Sequence, residues 1–181
     1  MRWAALLRGI NAGVKLPMVE LRAFLADQGM RDVATVLASG NAVFDADETE
    51  GARLEAQLGA ALGDRMGIYT GWFLRSHADL VNIVSANPFP DAAADHPHHL
   101  LVHFGRDVVD DALIDRVRCA YTGPERLHAI GRELYVDYPA DVGHSKLPQA
   151  MNRAKLAVGS TARTWNTLTT LVALTAPAPA G

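Results

Sequence analysis

The sequence predicts an α/β (α+β) protein made of two successive plait units, with antiparallel or mixed sheets and helices on one face. Three observations predict it. Apolar runs of strand length alternate with stretches whose apolar residues recur at helical spacing. Glycine and proline punctuate the joins between them. The order of elements in the first half partly recurs in the second. With 181 residues, 49% hydrophobic and 20% charged, the chain has apolar surface for one compact domain or two small ones. That composition excludes disorder of the whole chain. No apolar run approaches the ~20 residues that span a bilayer, so no membrane contact is expected.

The elements follow in order. Residues 3–7 form an apolar run short enough for a buried strand, broken by Arg8-Gly9-Ile10-Asn11-Ala12-Gly13. Pro17 suits the first turn of a helix, where its missing N–H costs nothing. Met18, Leu21, Phe24 and Leu25 keep helical spacing, and Gly29 can close that helix. Residues 33–38 read as a strand, Ser39-Gly40-Asn41 as a tight turn, and 42–44 as the return strand. A helix over 49–66, a β-rich stretch over 68–74 and a short helix over 76–86 complete the first half. The order β-α-β-β-α-β is the split arrangement of the ferredoxin-like plait.

The second half begins with a strand at 98–104 and a helix at 108–119. A hairpin follows, with strands 126–130 and 133–138 flanking Gly131-Arg132. Helices are predicted from about Pro148 to Leu156 and from about Ala162 to Leu174, giving β-α-β-β-α-α. The predicted organisation is a first domain over 1–88, a Pro/Ala/Asp linker over 89–97, a second domain over 98–175 and a frayed tail over 176–181.

Charge narrows the function classes. The balance of 17 basic against 20 acidic residues gives −3, which argues against a general nucleic-acid binder. The distribution is uneven. Residues 1–19 and 142–181 hold seven basic side chains (Arg2, Arg8, Lys15, Lys146, Arg153, Lys155 and Arg163) and no acid. A single cysteine and no signal-peptide pattern point to a reducing cytoplasm. Cys119 falls on the apolar side of its predicted helix and reads as a core residue. His96, His98, His99 and His103 are crowded but lack metal-ligand spacing, so no metal is predicted.

Topology then brings two loops together. In such a plait the first crossover makes strands 1 and 2 parallel, so their C-terminal ends share one sheet edge. The loops that follow them carry Arg8, Asn11, Ser39 and Asn41. Glycines let backbone amides approach a ligand there, and Arg8 offers a charged fork for carboxylate or phosphate. A second polar group comes from Ser145 and Lys146, at the start of a predicted helix. Arg163 and Asn166 join it, on a polar face shared with Thr167 and Thr170. These eight residues (Arg8, Asn11, Ser39, Asn41, Ser145, Lys146, Arg163, Asn166) are the candidate ligand site for a small anion, phosphate- or nucleotide-like or a carboxylate. Each has a structural reading too: Ser-Gly-Asn is what a turn favours, and the C-terminal groups can satisfy buried carbonyls. Gly9…Gly13 lacks the P-loop and dinucleotide spacings, so no cofactor is predicted. Ser145 and Lys146 are adjacent and lack the Ser-x-x-Lys spacing, so whether the chain is an enzyme stays open. The alternatives are single-stranded nucleic-acid binding, which needs exposed strand aromatics, and a structural or regulatory protein without a ligand. Only Trp3 and Phe44 occupy the central strands, and both are expected to face the helices.

Five segments together carry a resemblance: Ala5-Leu6-Leu7-Arg8-Gly9-Ile10-Asn11, Leu37-Ala38-Ser39-Gly40-Asn41-Ala42-Val43-Phe44, Asn87-Pro88-Phe89, Ser145-Lys146-Leu147 and Thr161-Ala162-Arg163-Thr164-Trp165-Asn166-Thr167. In this order they resemble the DUF1697 family, bacterial proteins of unknown function. The resemblance implies a cytoplasmic two-unit α/β protein and no particular activity, cofactor or catalytic residue. The sequence departs from the pattern at Thr164, where the family resemblance leads one to expect Asn, and at Ala12 and Val14 in the first loop.

Overall fold

The computed structural model describes residues 1–177. Its elements are β1 (Arg2–Leu7), α1 (Met18–Asp27), β2 (Arg31–Val36), β3 (Asn41–Asp45), α2 (Gly51–Met66), β4 (Trp72–Ser76), α3 (His77–Ser85), α4 (Pro90–Asp95), β5 (Leu100–Phe104), α5 (Asp111–Ala120), β6 (Arg126–Ile130), β7 (Glu133–Asp137), α6 (Leu147–Ala154), β8 (Thr161–Thr164) and α7 (Trp165–Thr175). They form two compact units. Among the described residues, one comprises 1–82 and 170–177, the other Ile83–Thr169. No helix among the described residues is long and apolar enough to cross a membrane.

Each unit holds a four-stranded sheet, ordered β2-β3-β1-β4 in the first and β6-β7-β5-β8 in the second. Every ladder is antiparallel. Since β3 opposes both β1 and β2, those two strands run the same way, as the crossover argument requires.

In the first unit Trp3, Ala5 and Leu7 of β1 and Ala42 and Phe44 of β3 point toward α1 and α2. There they meet Leu21, Phe24 and Leu25 of α1 and Leu54, Leu58 and Leu62 of α2. Each leucine or phenylalanine among them contributes roughly 1.5–3 kcal/mol on burial. Ala4 and Leu6, on the opposite face, are also buried. A strand buried on both faces needs an unbroken apolar run rather than alternation, which is what residues 3–7 supply.

The second unit differs from the sequence reading in three places. Residues 161–164 are the edge strand β8, paired with β5 from Leu101↔Thr164 to Phe104↔Thr161, not the first turn of the last helix. The unit is therefore also β-α-β-β-α-β, followed by α7. The N-cap of α7 is Thr164, whose Oγ1 accepts the Thr167 amide at 3.4 Å. Threonine and asparagine are both N-capping residues, so Thr164 fills the role that Asn would take there. Next, the predicted linker contains α4, with Pro90 in its first turn and Ala92 buried. The boundary between units falls within α3 rather than at residue 88. Finally, Cys119 is exposed; α5 buries Ile114 and Val117, and Cys119 lies off that stripe. Of the predicted tail, residues 178–181 lie outside the described residues.

Candidate functional site

Three loops of the first unit share one end of its sheet: residues 8–16 after β1, 37–40 between β2 and β3, and 67–71 before β4. Their joining is dense. The Leu7 amide donates to Gly40 O at 2.8 Å and the Arg8 amide to Gly71 O at 2.9 Å. Thr70 Oγ1 donates to Arg8 O at 2.5 Å. The predicted meeting of the first two loops is thus found, with a third added.

Asparagine chemistry holds this end together. Asn11 has a left-handed backbone (φ 58°), and its Nδ2 donates to Leu16 O at 3.2 Å and Ala38 O at 2.5 Å. Its Oδ1 accepts the Leu16 amide at 3.1 Å. Asn41 is fully buried, with Nδ2 donating to Val36 O at 2.9 Å and Ser39 Oγ at 3.0 Å. Both side chains predicted to meet a ligand are committed to the loops themselves. Arg8 is exposed, and its guanidinium makes no hydrogen bond or ion pair among the described residues; the same holds for Lys15. Substituting Asn11→Ala should lower stability by about 1–2 kcal/mol, since three loop hydrogen bonds and a residue suited to positive φ are lost. Urea denaturation checks this, and a change below ~0.5 kcal/mol, the level of an ordinary surface substitution, would contradict the locking role.

The other predicted residues lie in the second unit and do not form one group. Ser145 Oγ donates to Glu125 Oε1 and accepts the Leu147 amide, the first of α6, at 3.0 Å. Glu125 Oε2 also accepts from the Tyr121 hydroxyl at 2.8 Å. Burial opposes the charge on Glu125, but the Ser145 and Tyr121 hydroxyls outweigh it and hold the carboxyl below its ordinary pKa. Lys146, beside this triad, is exposed. Arg163 sits on β8, buried, with Nη1 donating to Thr161 Oγ1 and Ala162 O, both at 2.8 Å. Burial lowers its pKa to about 10. Asn166 is exposed in the first turn of α7. Glu125 precedes β6 and Arg163 lies on β8, so the two subsets flank opposite edges of the sheet.

The sequence reading missed a further network. Asp137 is buried at the end of β7, accepting from Arg126 Nε at 2.8 Å and lying 2.8 Å from His96 Nε2. Arg126 also donates to Asp91 and stacks over the Phe89 ring at 4.6 Å. The signal was present: counting outward from the Gly131-Arg132 turn pairs Arg126 with Asp137 directly. Among the described residues no group of three or more His, Cys, Asp or Glu side chains has the geometry to hold a metal ion.

Taken together, the two sheets, their strand orders and the asparagine-locked loops define a two-unit α/β protein. The chain belongs to the DUF1697 family, described as "Protein of unknown function (DUF1697)", which matches residues 1–135. A similar solved structure is that of the conserved bacterial protein SP0830 from Streptococcus pneumoniae, with a TM-score of 0.76 and 23% sequence identity. The match covers 96% of this chain and 97% of that one, and it establishes the likeness of fold. Among curated proteins none is significantly similar to the chain.

Proposed function

We infer that the protein binds a small anion, a phosphate or carboxylate compound, at the loop end of its first unit. One observation carries this reading: Arg8 holds an exposed guanidinium without a partner among the described residues, on loops whose own polar demands Asn11 and Asn41 meet. A preformed frame lets a cation be presented without first being ordered by the ligand. Lys15 adds a second charge on the same loop. Asn11, Ser39 and Asn41 act as the frame rather than as direct ligands.

Isothermal titration with pyrophosphate and with citrate at low salt tests this. Wild type should bind at least one of them. Arg8→Ala and Lys15→Ala should each weaken it by about tenfold or more, the worth of one charge-assisted hydrogen bond, with unchanged melting temperature. Absence of heat for both anions, or equal affinity in Arg8→Ala, overturns the reading.

A further inference from the structure

The two sheets have four edge strands, and three of them are blunted. On β4 the Leu74 amide donates to the buried Glu55 carboxylate of α2 at 2.7 Å. On β2 the register shifts between Arg31 and Ala34, and Asp32 has φ 48°. On β8, four residues long, the Arg163 guanidinium takes the Ala162 carbonyl. Natural proteins guard edges in these ways, because a free edge is a template for another strand.

The remaining edge, β6, is regular. Ile130 and Glu133 close a two-residue turn with Gly131 at φ +60°. A closing pair of that kind must exchange both backbone hydrogen bonds. Alternation then assigns the inward bonds to Ile130, His128 and Arg126, and turns the N–H and C=O groups of Leu127 and Ala129 outward. Among the described residues these outward groups have one partner: Arg118 Nη2, from α5, donates to Leu127 O at 3.3 Å. The Leu127 N–H and both Ala129 groups have none.

Two depressions of about 500 and 340 Å³ run along this edge beside α5, sharing Arg118 and His128 in their walls. Leu127 and Ala129 direct their side chains to the α5 face. Asp111 and Asp115 make the end near Ala129 acidic; Arg118 lines both depressions, its Nη1 3.6 Å from Asp115, and at the end near Leu127 Arg126 is held by Asp91 and Asp137 and Glu125 by the Tyr121 and Ser145 hydroxyls.

We propose that β6 and α5 form a docking groove in which an extended peptide of a partner protein adds as a fifth, antiparallel strand. The peptide presents a basic side chain to Asp111 and Asp115 and an acidic one to Arg118. Its two apolar residues face Leu127 and Ala129, since directly opposed residues share a face. Arg118 stands in for the incoming strand at Leu127 O and turns to the acidic side chain when the peptide's own amide replaces it. The ladder supplies affinity and the α5 side chains supply specificity, as in other cases of strand addition.

The probe is the peptide acetyl-Lys-Thr-Val-Thr-Val-Thr-Glu-amide, titrated into the isotope-labelled full chain and followed by amide chemical shifts. Saturable shifts should appear at Leu127, Ala129 and Arg118. Ala129→Pro removes one outward N–H and leaves the inward ladder intact, a position where an edge strand tolerates proline; affinity should fall by roughly tenfold or more. Arg118→Glu should weaken the same peptide and favour one in which Lys replaces the final Glu, a reversal that does not depend on how Ala129→Pro folds. No shifts at β6 with millimolar peptide, unchanged binding by Ala129→Pro, or no reversal in Arg118→Glu overturns the proposal. So does a concentration-dependent dimer in sedimentation that Ala129→Pro abolishes, because the edge would then belong to a second copy of the chain.

Discussion

Replacing Gly40 by alanine should cost about 3 kcal/mol and lower the melting temperature by roughly 6–12 °C for a chain of this size. Two independent penalties meet at this residue. Its backbone is left-handed at φ +77°, which an L side chain adopts at a cost of about 1–2 kcal/mol. A Cβ built there would also lie 2.8 Å from Ile10 Cβ, 3.1 Å from Ile10 Cγ1 and 3.2 Å from Leu7 Cβ. Ile10 Cβ is anchored next to its own backbone, so it cannot swing aside as a long side chain would. Relief would require moving the loop that carries Arg8, and with it the bond from the Leu7 amide to Gly40 O. Gly131 supplies the comparison. It has φ +60°, but a Cβ there meets nothing within 4 Å. Gly131→Ala should therefore lose only the strain, about 1 kcal/mol. Thermal denaturation of the two variants side by side separates close packing from conformation. Equal losses would sink the claim that the loops are in contact at Gly40.

That contact was legible in the sequence, and the reason is topological. A right-handed crossover fixes which strand ends coincide, so the meeting of 8–13 with 39–41 follows from element order alone. The inward aim of Trp3 and Phe44 was legible too, because strand parity and the helix stripes on 18–25 and 54–62 have one consistent packing. Other features had no local signature. Thr161-Ala162-Arg163-Thr164 has polar residues that fit a helical face as well as a strand, and only pairing with β5 decides between them. Pro88 and Pro90 look like linker punctuation, yet a proline in a first turn is equally a helix start. For the site, residue type identified the polar groups but not what they serve. An asparagine amide bonds a backbone carbonyl or a ligand oxygen with the same atoms. The Asn11 and Asn41 amides are taken up by a fold that the sequence specifies only at long range, which leaves Arg8 as the predicted side chain of these two loops that faces out without a partner among the described residues.

The stability of the protein should fall by about 3 kcal/mol between pH 7 and pH 4 through His103 alone, in excess of whatever the other groups contribute. Ser160 Oγ donates to Ala157 O at 2.6 Å, so it meets the His103 ring 3.3 Å away as an acceptor, which places the neutral ring's proton on Nδ1. The other nitrogen, Nε2, is sealed from solvent and has no hydrogen-bond partner. Its lone pair faces no donor among the described residues, and a proton added there would bring a charge into a buried site with no carboxylate beside it. Burial accordingly lowers the His103 pKa from 6.5 to about 4. The sign follows from proton counting. Between those two values the unfolded chain is protonated at this position and the folded one is not, so acid favours unfolding. The stability lost begins to go as pH drops below 6.5 and is nearly complete by pH 4. His103→Leu keeps comparable volume and cannot titrate. The difference in unfolding free energy between wild type and this variant, measured in urea at several pH values, isolates the group because all other titrations are common to both. The gap should move against wild type by about 3 kcal/mol from pH 7 to pH 4. Parallel curves would falsify the buried neutral histidine and place a compensating donor or water at Nε2.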